Sequence, residues 1–130
     1  MEVKLLNDNL WYPTDKIFIN GQWKDCNSKK RLPIENPSNG EVIAEISDSF
    51  EIDIDEAVNS ASKALDNSWG DLTASERGRL LLKLSELVRN RIDNLAIIES
   101  FDVGKPLKQA KSDALALARY FEFYGGASDK

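Results

Sequence analysis

A chain of 130 residues that is 42% hydrophobic and carries a net charge of −5 has enough apolar material for one core of ordinary domain size. Its acidic and basic residues are interleaved, so no basic face is available to neutralise phosphates, and nucleic acid and anionic membranes are excluded as natural partners. The absence of histidine removes the commonest general base and metal ligand, and a single cysteine, Cys26, leaves no internal disulfide to form.

Residues 1–15 mix polar and apolar types without a period and end in Trp11-Tyr12-Pro13-Thr14, which reads as an N-terminal arm. With no basic, apolar leader and no apolar run near the ~18 residues of a membrane span, a cytoplasmic protein is expected. Lys16–Ile19 and Gln22–Lys24 flank Asn20-Gly21, a pair that tolerates the positive φ of a type I′ turn and so predicts a β-hairpin. A second strand pair is expected from Arg31–Glu35 and Glu41–Ile46 around the turn Asn36-Pro37-Ser38-Asn39-Gly40, with Pro33 confining its strand to an edge.

From Asp53 the period becomes helical. Asp53 and Glu56 have the spacing of a capping box, and Ile54, Ala57, Val58, Ala61, Ala64 and Leu65 form one apolar stripe. Thr73 and Glu76 repeat the box, and Leu80, Leu84, Leu87, Val88, Leu95 and Ile98 predict one long second helix ended by Gly104. Pro106 suits the first turn of a third helix, whose expected buried face is Leu107, Ala110, Ala114, Leu117, Ala118, Phe121 and Tyr124, with Gly125-Gly126 as its stop.

Phe18-Ile19-Asn20-Gly21-Gln22-Trp23, Asn36-Pro37-x-x-Gly40, Trp69 ahead of the Glu76-Arg77 helix start, Glu99-x-x-Asp102-x-Gly104-Lys105-Pro106 and Arg119-Tyr120-Phe121 occur here in one order. In that order, from about residue 16 onward, the chain resembles the N-terminal segment of an NAD(P)-dependent aldehyde dehydrogenase. The resemblance implies an α/β fold class: two N-terminal β-hairpins followed by three helices, with residues 16–130 as the incomplete first part of a cofactor-binding domain. It also implies oxidation of a small-molecule aldehyde to a carboxylic acid through a cysteine thiohemiacetal, with hydride transfer to NAD or NADP and a glutamate base for thioester hydrolysis. The family commonly forms homo-dimers or homo-tetramers.

The same resemblance places the catalytic cysteine, that glutamate, the oxyanion asparagine and the cofactor turn C-terminal to this segment. No catalytic and no cofactor-binding residue is therefore assigned, and the chain by itself is expected to be inactive. The glycines here do not match a dinucleotide fingerprint, and residue 99, where a phosphate-cradling loop ending in Gly104-Lys105 needs a glycine, is glutamate. Cys26, set among Lys24, Asp25, Asn27 and Ser28, reads as an incidental thiol in an exposed loop.

Asp102 is different. The resemblance implies a monovalent cation, K+ or Na+, held by the Asp102 carboxylate and by the backbone carbonyls of Ile34 and Glu35; oxygen donors suit such a hard ion. The competing expectation is that Asp102 caps or pairs locally, with Lys105 as the nearest cation. Lys105 reads as a solvated helix-end charge, and Arg77, Arg79, Arg89 and Arg91, interleaved with Glu76, Glu86 and Asp93, as a solvated face. Tyr120, Phe121, Phe123 and Tyr124 have the helical spacing of core or interface residues.

Two readings of the whole chain compete. In the first it is an N-terminal fragment, because Ser128-Asp129-Lys130 follows the glycine pair with no tied-down terminus. In the second it is a self-contained helical interaction module using the aromatic last helix. A CoA-acylating or semialdehyde-specific branch of the same superfamily is a narrower variant of the first.

Overall fold

The computed structural model describes residues 15–130; the arm expected over residues 1–15 lies, but for Asp15, outside them. The described residues form four strands and four helices, in two compact units that divide between Asn67 and Ser68.

In the first unit, β1 (Lys16–Ile19) and β2 (Gln22–Asp25) form an antiparallel hairpin. Asn20 and Gly21 take φ of 53° and 74°, the left-handed values that the Asn-Gly pair predicts. The second hairpin pairs β3 (Arg31–Glu35) with β4 (Val42–Ser47), and Pro33 stands opposite Glu45. Each sheet has only two strands, so Pro33 is on an edge.

The turn between β3 and β4 explains its own composition. Buried Asn36 accepts at Oδ1 from the Ser38 N–H (3.0 Å) and the Ser38 hydroxyl (2.6 Å), and at its carbonyl from the Gly40 N–H (2.8 Å). Gly40 has φ 73°, a value that glycine reaches without steric cost. Ile19 and Ala44 are the buried apolar residues of this unit.

Helix α1 (Glu51–Asp66) begins three residues earlier than the Asp53–Glu56 spacing predicts. Asp53 is the third helical residue rather than the cap: its Oδ2 accepts from the Phe50 N–H at 3.0 Å. Phe50 has no side-chain oxygen to return the bond, so only the carboxylate half of a capping box is made. The predicted stripe is not buried either, since Ile54, Val58, Ala61 and Leu65 are exposed.

In the second unit the single long helix predicted from Thr73 to Gly104 is divided, which makes four helices rather than three. Helix α2 (Ala74–Arg89) ends at Asn90, and α3 (Ile92–Val103) starts after Arg91, whose φ −123° and ψ 14° are not helical. The Arg91 N–H turns to the Val88 carbonyl at 2.9 Å, a tightened last turn that closes α2. The start of α2 is as predicted: Thr73 Oγ1 accepts from the Glu76 N–H (3.3 Å), and Glu76 accepts from the Thr73 N–H (2.8 Å).

Helix α4 (Leu107–Ala127) packs against both α2 and α3. It runs through Gly125-Gly126 instead of stopping there. Gly125 is buried against α2, where a Cβ on Gly78 would lie 2.6 Å from the Gly125 carbonyl oxygen. Gly78 and Gly125 serve the close approach of the two helices, and the glycine pair does not end α4. The seam is built mainly from small residues: Gly78 and Ser85 on α2, Ala96 on α3, and Ala110, Ala114, Ala118 and Gly125 on α4 are buried, joined by Val88 of the predicted α2 stripe. Leu80, Leu84, Leu87, Leu107, Leu117 and Tyr124, all expected inside, are exposed.

Candidate functional site

The join between α3 and α4 is built from local chemistry. Gly104 takes φ 69°, its N–H returning to the Ser100 carbonyl at 3.0 Å, so a left-handed residue closes α3 as the sequence predicts. Pro106 follows as the N-cap of α4, one residue before the first helical turn. The Ser100 hydroxyl donates to the Lys105 carbonyl at 2.8 Å, tying the far side of the join back to α3.

The Lys105 ammonium is held by two carboxylates, Glu99 on α3 and Asp113 on α4, the second at 2.8 Å. Asp113 also accepts from Gln109 Nε2 at 3.0 Å. Hydrogen bonds to Asp113 and then Glu99 raise the Lys105 pKa above its ordinary value against the opposing effect of burial. In return, Lys105 and then Gln109 lower that of Asp113. Lys105 is therefore a clamp across the join, a role that the helix-end reading missed because its partners lie six and eight residues away.

Asp102 lies in the last turn of α3 and is exposed. The local pairing with Lys105 is not made; among the described residues, no ion pair or side-chain hydrogen bond claims its carboxylate. Ile34 and Glu35 belong to the first unit, at the end of β3, where the ladder is irregular: Ile34 stands opposite Ala44 but Glu35 opposite Val42, skipping Ile43. The Asp102 carboxylate in the second unit and, taken separately, the main-chain oxygens beside the bulge in the first are hard donors of the kind a monovalent cation takes. Among the described residues no three His, Cys, Asp or Glu side chains gather as a metal centre.

Cys26 is not in an exposed loop. It is half-buried, and its thiol lies 3.2 Å from Asp53 Oδ2 and 3.5 Å from the Asp48 carbonyl. Asp53, only 1% exposed, also accepts at Oδ1 from the Asn27 N–H (3.2 Å) and Asn27 Nδ2 (2.6 Å). Burial is the largest single influence on this carboxyl and acts to raise its pKa. Bonds from the Asn27 side chain, the Phe50 N–H, the Cys26 thiol and the Asn27 N–H outweigh it together and hold the value down at about 2. The group fastens the segment after β2 to the start of α1 and presents no reactive arrangement.

Residues 23–130 match the aldehyde dehydrogenase family. The chain belongs to that family. It is 41% identical over 125 residues to human retinal dehydrogenase 2, covering 94% of this chain and 24% of that protein. To betaine aldehyde dehydrogenase of Bacillus subtilis (strain 168) it is 37% identical over 115 residues, covering 88% and 24%. Betaine aldehyde dehydrogenase from Staphylococcus aureus, solved in complex with NAD+, superposes with a TM-score of 0.85 at 28% identity, covering 89% of this chain and 23% of that one. This chain thus spans about a quarter of the length of its relatives. The expected aldehyde dehydrogenase α/β architecture is borne out, and no helix among the described residues is long and apolar enough to cross a membrane.

Proposed function

We propose that this chain is the N-terminal part of an enzyme that oxidises an aldehyde to a carboxylic acid with NAD+ or NADP+. The observation that carries the reading is the aldehyde dehydrogenase match over residues 23–130 combined with a span of about a quarter of the relatives. The nicotinamide cofactor would accept the hydride. No described residue is assigned to it, and what this chain supplies is framework: the hairpins and α1 of the first unit, and the α2–α4 frame of the second with its clamped α3–α4 join.

One ligand role belongs to the chain itself. The Asp102 carboxylate is proposed to contribute an oxygen to a monovalent cation, K+ or Na+, with further donors from elsewhere in the protein. This part of the reading rests on donor chemistry, since hard oxygens match a hard ion. The enzyme is proposed to be cytoplasmic and to work as a homo-dimer or homo-tetramer.

The test is aldehyde-dependent formation of reduced nicotinamide by the full-length gene product, with NAD+ and NADP+ supplied separately across aliphatic and aromatic aldehydes. Turnover to the free acid supports the reading. Turnover that requires coenzyme A moves the protein to the acylating branch, and no reduction with any aldehyde overturns the proposal.

A further inference from the structure

Asp102 and Lys105 are three residues apart at a helix end, and an ammonium so near an exposed carboxylate is its natural counter-ion. The structure shows the opposite arrangement, with Lys105 directed to Glu99 and Asp113 and its backbone pinned by the Ser100 hydroxyl. We infer that Glu99 and Asp113 act as positioning residues that sequester the Lys105 ammonium, leaving the Asp102 carboxylate free for an external monovalent cation. The inference rests on the cation role proposed for Asp102.

Charge and exposure support it. Glu99, Asp102 and Asp113 against Lys105 leave an acidic excess at the join. The Lys105, Glu99 and Asp113 side chains are only 28%, 34% and 37% exposed, so their pairing is screened less than that of fully exposed ions. A lysine released from these partners becomes an intramolecular competitor for Asp102. Its effective concentration would be high, because the tether is three residues long.

The test is the K+-dependence of thermal unfolding in the full-length protein, with ionic strength held constant by choline chloride. A cation bound only by the folded state raises Tm with its concentration. K+ is expected to raise the wild-type Tm, and Asp102→Asn to abolish the response. Asp113→Asn is expected to weaken apparent K+ affinity roughly three- to tenfold, the size of ordinary pairwise coupling. Lys105→Gln should bind at least as tightly as wild type.

The decisive variant is Asp113→Asn in the Lys105→Gln background. If freed lysine causes the loss, the double variant regains the Lys105→Gln affinity. Equal weakening in both backgrounds means that Asp113 acts only through its charge, and the inference fails. Glu99→Gln repeats the comparison should Asp113→Asn not fold. A wild-type Tm indifferent to K+ would overturn the cation reading itself, an outcome distinct from a K+ response that Asp102→Asn abolishes and Asp113→Asn leaves intact.

Discussion

The Gly125 carbonyl oxygen occupies the space that a side chain on Gly78 would need: a Cβ there would lie 2.6 Å from it. The obstacle is backbone, so one of the two helices must move. Gly78→Ala is expected to destabilise the chain by about 1–3 kcal/mol, the usual cost of overpacking. Gly126, one residue along on α4, has open space where a Cβ would stand, with nothing within 4 Å. Gly126→Ala is therefore expected to stabilise by about 0.5–1 kcal/mol through helix propensity alone. Urea unfolding of the two variants beside wild type checks both signs.

Asp53 makes the first unit acid-sensitive. Its pKa is lowered from an ordinary 3.8 to about 2 in the folded chain. The folded state thus favours the carboxylate, and that stability is complete above the unfolded pKa and is lost as pH falls from about 4 towards 2. Asp53→Asn is expected to be less stable than wild type at neutral pH, with the difference shrinking across that interval. Denaturant midpoints measured at successive pH values would show it; a gap independent of pH would mean that the carboxylate's charge is not what holds Cys26, Asn27 and Phe50 together.

Local chemistry was legible in the sequence wherever a residue type answers a backbone demand. Asn20-Gly21, Asn36 with Gly40, Thr73 with Glu76, and Gly104 all do what their types predict. What stayed hidden was decided by tertiary packing. Large apolar residues at helical spacing ordinarily mark a core, yet here Gly78, Ser85, Ala114 and Ala118 form the seam while Leu80, Leu84 and Leu87 face out. The break at Asn90-Arg91 carries no proline or glycine, and the apolar pattern continues across it. At the join, Asp102 was visible by resemblance, but the clamp on Lys105 was not, because Asp113 reaches it only once α4 has folded back along α3.

The outward leucines and aromatics have a solution consequence. Tyr120, Phe123 and Tyr124 on α4 are 61–67% exposed, and Leu80, Leu84 and Leu87 on α2 are exposed as well; large apolar side chains left in water favour association where they are contiguous. The 130-residue chain is expected to bind a hydrophobic dye while folded and to self-associate as its concentration rises. Leu87→Lys and Phe123→Lys should each reduce both effects without lowering Tm, since neither side chain is in the seam. Fluorescence titration and sedimentation velocity would test this, and a dye-silent monomer at high concentration would contradict it.

Gly104 provides the last test, at the residue that shapes the join. Its φ of 69° lies in the left-handed region, where a Cβ crowds the following carbonyl and costs about 1–2 kcal/mol. Gly104→Ala is expected to lose about that much stability. Gly104→Asn should lose less, because asparagine enters this region more readily than other residues with a Cβ. The local effect should exceed the global one: Ser100, Lys105 and Pro106 depend on this turn for their register, so amide exchange at the end of α3 and the first turn of α4 should quicken in Gly104→Ala more than in the α2–α4 seam. Uniform quickening would show that Gly104 acts through overall stability alone, and the join would lose its standing as an independently organised element.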